Sequence, residues 1–166
     1  MARHRLHNER WGFSSNCFVC EPNNSGGLAI PFVHDDDAAT VVGEFTLGDQ
    51  FSGAPSYVHG GISLAILDEA QGWAAIALGG KFAVTVATSA RFAKPVHIGR
   101  TYAVEACVTS QTERLIGTSA EIRRPDGVVC ASSTATFAVL SAATAVDAIG
   151  ADVSADHGEY LRQPHA

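Results

Sequence analysis

The fold is decided by residues 57–70, which read YVHGGISLAILDEA. A polar turn precedes this stretch, and an apolar run continues it as far as Leu78. The run is apolar on nearly every face, which is typical of a helix buried inside a domain. Gly79 and Gly80 then predict the C-terminus of the helix. The sequence therefore predicts one long buried helix over about residues 58–78.

Two features of this helix indicate chemistry. Gly60 and Gly61 leave backbone N–H groups uncovered at the positive end of the helix dipole, where they can stabilise negative charge on an oxygen. Asp68 and Glu69 interrupt the apolar run, and a buried carboxylate is costly unless it is paired or used. Adjacent helical side chains point about 100° apart. We therefore take Asp68 as the candidate catalytic acid, and we expect Glu69 to form a pair or to reach solvent.

The spacing of these groups predicts an oligomer. Gly60 precedes Asp68 by eight residues, which is about 12 Å along a helix. A donor and a base that act on one carbonyl must each lie within about 3 Å of the reacting atoms. One helix cannot supply both groups to one site, whereas two antiparallel copies can. We therefore expect a homodimer with two equivalent sites, each pairing Gly60 of one copy with Asp68 of the other.

Composition excludes several classes of protein. The chain has 166 residues, a length typical of one domain. Its net charge of −6 disfavours a nucleic-acid partner. The N-terminus has no apolar region that would mark a signal peptide, and the longest apolar run is interrupted by Asp68, Glu69 and Gln71, so it is a poor membrane span. We expect a cytoplasmic protein with neither a nucleic-acid nor a membrane partner.

The cysteines allow more than one interpretation. Cys17 and Cys20 lie three residues apart in a stretch that reads as a loop, a spacing that suits half of a metal site or a redox pair. The chain has no second such pair, and Cys107 and Cys130 each stand alone in a strand-like run. We therefore expect two packed thiols, and neither a metal nor a cofactor.

The rest of the chain has the pattern of strands. We expect strands at 28–33 and 40–47 before the helix, and at 82–92, 100–112, 115–123 and 128–140 after it, with a solvated turn at 34–37. Short connections between successive strands predict an antiparallel sheet, here wrapped around one helix in an α+β arrangement. The expected divisions are an N-terminal segment (1–16), the main domain (17–140) and a mobile C-terminal tail (141–166).

A family resemblance rests on a set of residues between positions 17 and 99: Cys17, Cys20, Asn23, Gly27, Leu28, His59, Gly60, Gly61, Asp68, Thr85, Lys94, Pro95, Val96 and Gly99. Together they resemble the hotdog-fold acyl-CoA thioesterases, in particular the PaaI-like (phenylacetate-degradation type) group. The resemblance covers about residues 17–140 and implies a sheet of about five or six strands around one central helix. Glu21 departs from the pattern, in which glycine commonly follows the second cysteine.

The resemblance also implies roles for individual residues. The N–H of Gly60 would polarise the thioester carbonyl, and Asp68 of the partner chain would act either as general base on water or as nucleophile. The hydroxyl of Thr85 would help to place that water. His59 would support the loop and the thioester. The implied activity is hydrolysis of an acyl-CoA, with coenzyme A as part of the substrate rather than a cofactor.

The sequence indicates less about substrate binding than about catalysis. The resemblance implies that coenzyme A lies along the dimer surface with its phosphates near basic residues, for which Arg91, Lys94 and Arg123 are candidates together with Arg124; Gly61 is a further candidate contact. The alternative function is a non-catalytic acyl-CoA binding protein of the same fold, and a hydratase or dehydratase ranks last. The acyl group, and the choice between a dimer and a dimer of dimers, stay open.

Overall fold

The structure, a computed structural model, describes residues 3–11 and 15–150. Its strands are β1 (Arg3–Leu6), β2 (Phe32–Asp35), β3 (Thr40–Thr46), β4 (Ser52–Ala54), β5 (Tyr57–Val58), β6 (Ala83–Phe92), β7 (Thr101–Gln111), β8 (Leu115–Arg123) and β9 (Val129–Val139). Two α-helices, α1 (Gly60–Ala77) and α2 (Ala142–Ile149), accompany them. Seven strands form one antiparallel sheet in the order β1-β2-β3-β7-β8-β9-β6, and β4 pairs with β5 in a small second sheet. The α+β arrangement expected from the sequence is confirmed.

Helix α1 is the central helix, and its predicted limits are nearly correct. His59 caps its N-terminus, because the Nδ1 atom of this residue accepts a hydrogen bond from the N–H of Gly61. The C-terminal end is closed by Gly80, which has a φ of 67°, a conformation that glycine adopts without steric cost. The buried residues of α1 are Ser63, Ile66, Leu67, Ala70, Gln71, Trp73, Ala74, Ala75 and Ala77. They pack against the sheet and form the centre of the core.

A buried polar network joins α1 to the sheet. Gln71 is fully buried and donates from Nε2 to the hydroxyl of Thr118 at 3.1 Å, while Ser133 donates to its Oε1 at 2.8 Å. Thr118 in turn donates to the carbonyl of Ala135. Since each of these groups has a partner, the network costs little and favours a single position of the helix on β8 and β9. The sequence marked Gln71 only as an interruption of the apolar run.

The strand predictions are correct for β3 and for β6 to β9 and wrong near the N-terminus, and the short strands β4 and β5 were not predicted. β2 begins at Phe32 rather than at 28, because the preceding residues bond to a different segment: the N–H of Ile30 donates to the carbonyl of Val19. His34 and Asp35, predicted in a solvated turn, end β2 and are each only 9% exposed. They are covered because β1, which the sequence did not predict, pairs with β2 along its whole length.

The opposite edge of the sheet is open. Among the described residues, β6 is the last strand and pairs only with β9. Its residues from 84 to 92 are all exposed, including Val84 at 46%, Val86 at 58% and Phe92 at 52%. This edge therefore presents an unpaired backbone with apolar side chains on either side of Thr85.

The predicted tail begins in α2, where Ala145 is buried against the core. The expectation of mobility beyond it concerns residues 151–166, which lie outside the described residues. No helix in the described ranges is both long enough and apolar enough to cross a membrane.

Candidate active site

The N-terminus of α1 presents an unoccupied backbone donor. A backbone hydrogen bond fixes the position of His59, since its N–H donates to the carbonyl of Phe51 at 2.9 Å. Its ring then accepts from the N–H of Gly61 at 2.9 Å. For the N–H of Gly60, one residue earlier, the described part of the chain provides no acceptor, as is usual for the first turn of a helix. A Cβ built at Gly60 meets nothing within 4 Å, so the space beside this residue is free.

Asp68 and Thr85 form the second part of the site. Asp68 is half-buried on α1, and the hydroxyl of Thr85 donates to its Oδ1 at 2.7 Å. The register between β6 and β9 shifts between Thr85 and Ala87, and such bulges redirect side chains at functional sites. Within the described residues, Oδ2 of Asp68 has no hydrogen-bond partner. The carboxylate is therefore fixed through one oxygen, and the other is available to water or substrate.

One protomer does not bring the two parts together. Gly60 and Asp68 lie on one uninterrupted helix, about 12 Å apart along its axis. Two surface depressions formed by the described residues also lie elsewhere. One, of about 370 Å³, crosses β6 to β9 near Arg91, and another, of about 600 Å³, lies between Arg100 and Arg124. Neither is lined by Gly60 or Asp68.

The candidate phosphate-binding residues gather at one end of the sheet. Arg91 is exposed near the end of β6, and Lys94 is exposed just beyond it. The register places Arg91 opposite Ser132 of β9, which in turn lies opposite Glu121 of β8. Arg123 lies two residues from Glu121, where its guanidinium pairs with the Glu121 carboxylate and donates to the carbonyl of Gly127 at 3.1 Å. This basic end is six residues from Thr85, or about 20 Å along β6.

Sequence reasoning missed a third cluster, next to the site. Glu69 faces the loop that carries the two N-terminal cysteines, and its Oε1 lies 3.3 Å from Sγ of Cys17. Ligand atoms of Cys17, Cys20 and Glu69 all lie within 4.8 Å of one another. No spacing rule relates position 17 to position 69, so only the fold reveals the cluster.

The three groups alter each other's protonation. Burial, reinforced by Cys17, raises the pKa of Glu69 to about 8. A hydrogen bond from the side chain of Cys20 lowers the pKa of Cys17 to about 5 against the opposing effect of burial. The same bond, together with burial, raises the pKa of the Cys20 thiol. At neutral pH these shifts favour a thiolate at Cys17 beside a protonated Glu69 carboxyl.

Comparison with known proteins indicates the class. Residues 56–131, which contain the helix and both parts of the site, match the thioesterase superfamily. A solved thioesterase superfamily protein is 32% identical over 70% of this chain, with a TM-score of 0.66. These two comparisons show that the chain has the hotdog fold and that its central part, residues 56–131, is similar to the thioesterase superfamily. The alignment spans only 57% of the length of that solved protein.

Further solved structures agree in fold. The Escherichia coli PaaI protein of the phenylacetic acid degradation operon is 22% identical, with a TM-score of 0.62 over 69% of this chain and 81% of its own. A Streptococcus mutans protein bound to acetyl-CoA is 19% identical, with a TM-score of 0.59 over 62% of this chain and 82% of its own. The resemblance to PaaI-like proteins drawn from the sequence is thus confirmed at the level of the fold. No curated protein sequence matches the chain.

Proposed function

We propose that this protein is an acyl-CoA thioesterase that hydrolyses its substrate to a free acid and coenzyme A. The observation that carries the proposal is the Asp68 carboxylate, held by Thr85 at 2.7 Å on the central helix of a chain similar to the thioesterase superfamily. An acyl-CoA binding protein has no need of a half-buried acid with one free oxygen. The open N–H of Gly60 supplies the complementary group that stabilises negative charge.

The reaction follows from these groups. The thioester carbonyl accepts a hydrogen bond from the Gly60 N–H, which draws charge onto the oxygen and makes the carbon electrophilic. Asp68 then removes a proton from water as the water oxygen bonds to that carbon, or its own oxygen attacks directly to give an anhydride that water cleaves. In both routes a tetrahedral intermediate collapses with cleavage of the carbon–sulfur bond. Coenzyme A leaves as the thiol, with its proton returned by Asp68 in the first route and taken from solvent water in the second. Neither route needs a cofactor.

We place the site between two copies of the chain. Gly60 and Asp68 of one copy are too far apart to share a carbonyl, and β6 presents an exposed edge with Val84 and Val86 on either side of Thr85. Long apolar edge strands are uncommon on monomers, because they invite pairing with another chain. A second copy paired along this edge would cover the valines and bring its own helix N-terminus close to Asp68.

Coenzyme A is the recognition element in this proposal. The Streptococcus mutans structure supports it, because a protein of this fold was solved with acetyl-CoA. Arg91 and Lys94 are exposed at the far end of β6 from Thr85, and Arg123 lies two strands away. We propose that these cations bind the phosphates, as arginine does readily, with Gly61 and His59 lining the thioester end. A cytoplasmic location is proposed because acyl-CoA is an intracellular metabolite class.

The test is a hydrolysis screen with short, medium, long and aryl acyl-CoAs, in which released thiol is measured. We expect turnover of at least one class, and Asp68→Asn is the matched control on that substrate. Saturable binding by calorimetry without thiol release, on every member of the panel, would instead identify the non-catalytic binding protein.

A further inference from the structure

A second constellation of reactive side chains lies on the other side of α1. The turn at 17–20 places two thiols against the helix, and Glu69 reaches them from the helix side. We propose that Cys17, Cys20 and Glu69 bind one divalent zinc ion. The proposal goes beyond thioester hydrolysis and does not depend on it, because no residue of the proposed hydrolytic mechanism is a ligand.

The distances suit a tetrahedral ion. Zinc binds thiolate at about 2.3 Å and carboxylate oxygen at about 2.0–2.2 Å, so neighbouring ligand atoms lie about 3.5–3.8 Å apart. Sγ of Cys17 and Oε1 of Glu69 are 3.3 Å apart, and all three ligand atoms fall within 4.8 Å. Small side-chain rotations therefore complete three corners of the tetrahedron.

Backbone groups of the turn at 17–20 orient the Sγ atom of Cys17. The backbone N–H groups of Val19 and Cys20 both point at Sγ of Cys17, at 3.4 and 3.5 Å. Such N–H donors orient a metal-bound thiolate and stabilise its charge. The turn is itself anchored, since the carbonyls of Phe18 and Val19 accept from residues 28 and 30 at 2.8 and 2.9 Å. A Cβ at Gly27 would lie 2.5 Å from the carbonyl of Phe18, so this close approach requires glycine.

The ligand set selects the ion. Two thiolates favour a borderline-soft metal and disfavour calcium and magnesium, which take oxygen ligands. Paired cysteines at this spacing in a protein without a disulfide scaffold are more often metal ligands than cross-links. Three protein ligands leave one position for water or a small ligand. An ion here would join the N-terminal loop to α1 one residue from Asp68, and would stabilise the fold by binding the native state.

The first experiment measures metal content. Protein purified without an affinity tag from zinc-containing medium is analysed by inductively coupled plasma mass spectrometry, with about one zinc per chain expected. Cys17→Ser and Cys20→Ser should lose the zinc. Cys107→Ser is the matched control and should keep it, because Cys107 lies on β7 with its Sγ beside the hydroxyl of Ser119, outside the cluster.

The second experiment remains informative if a serine variant fails to fold. Metal-free wild-type protein, kept reduced, is titrated with cobalt(II), and thiolate coordination should give an intense near-ultraviolet charge-transfer band that zinc abolishes. Glu69→Gln should weaken zinc affinity by about tenfold or more. The proposal is overturned if reduced wild-type protein takes up neither metal, if a Cys17–Cys20 disulfide forms in preference to zinc binding, or if the double serine variant retains its zinc.

Discussion

The two sides of helix α1 carry adjacent carboxylates in contrasting surroundings. Asp68 faces β6, an exposed edge, where a single hydroxyl holds one of its oxygens. Glu69 faces the cysteine loop, where burial raises the pKa of its carboxyl to about 8. Two neighbouring acids on one helix thus acquire different chemistry from what they face, a pattern known from enzymes that use paired carboxylates in separate roles. Substitutions on the two sides of the helix test whether that contrast is one of function.

The largest effect is expected for Asp68→Asn. The amide can still accept from Thr85, so the fold should be retained, but it cannot take a proton from water. Loss of a general base costs about 10²–10⁴-fold in rate, and kcat on the best acyl-CoA should fall by that factor with an unchanged thermal melting curve. A variant that turned over at nearly the wild-type rate would remove Asp68 from the mechanism.

Gly60→Val is expected to have the next largest effect. A Cβ built here meets nothing within 4 Å in the described part of the protomer, so the protein should fold, while the new methyl groups block the approach of the carbonyl to the N–H. Loss of one such donor costs about 10²–10³-fold in kcat. Circular dichroism confirms the fold, and steady-state kinetics measure the loss. Full activity in the folded variant would exclude Gly60 as the donor.

Of the two carboxylates, the sequence could predict the role of Asp68 but not the contacts of Glu69. The apolar run, the carboxylate inside it and the glycine pair at its start all lie within residues 57–78. This short stretch therefore predicts both the helix and the candidate catalytic role of Asp68. Glu69 differs in that its neighbours come from a loop about 50 residues earlier. Local periodicity contains nothing about that contact.

The N-terminal errors have a similar cause. His34 and Asp35 are polar residues followed by further acids, a pattern that normally indicates a solvated turn. They are covered because β1 pairs with them from about 30 residues away, with Arg3 Nε 3.0 Å from an Asp35 carboxylate oxygen. The sequence did not predict β1 because three of its four residues are polar. Such a segment has no apolar face of the kind that predicts a buried strand.

A mixing experiment tests whether Asp68 acts across two chains. Gly60→Val and Asp68→Asn proteins, inactive alone, are unfolded together and refolded. Random reassortment gives about half heterodimers, each with one intact site and one doubly defective site, so activity should return to about a quarter of the wild-type value. If each site belonged to a single chain, the mixture would stay inactive, and an active monomer in sedimentation would lead to the same conclusion.

A smaller effect is expected for Thr85→Val, which keeps the shape of the side chain and removes the hydrogen bond to Asp68. The carboxylate would then sample other rotamers, and a hydrogen bond to a charged group is worth about 1.5–3 kcal/mol. We expect kcat to fall by about tenfold. Thr85→Ser is the matched control, because it retains the hydroxyl and should recover most of the rate. Equal losses in both variants would indicate a packing role.

The smallest effect on turnover is expected for Glu69→Gln, the counterpart of the first substitution on the other side of the helix. The side chain points about 100° away from Asp68 and contacts Cys17 rather than the site. We therefore expect kcat within about one order of magnitude of wild type, against the 10²–10⁴-fold loss in Asp68→Asn. Zinc content should respond in the opposite way, falling in Glu69→Gln and persisting in Asp68→Asn. Measuring kcat and zinc content in both the Glu69→Gln and the Asp68→Asn variant therefore tests the two assignments separately. A fall in kcat for Glu69→Gln as large as that for Asp68→Asn, with zinc retained, would identify Glu69 as the catalytic acid. The roles assigned to the two carboxylates would then be exchanged.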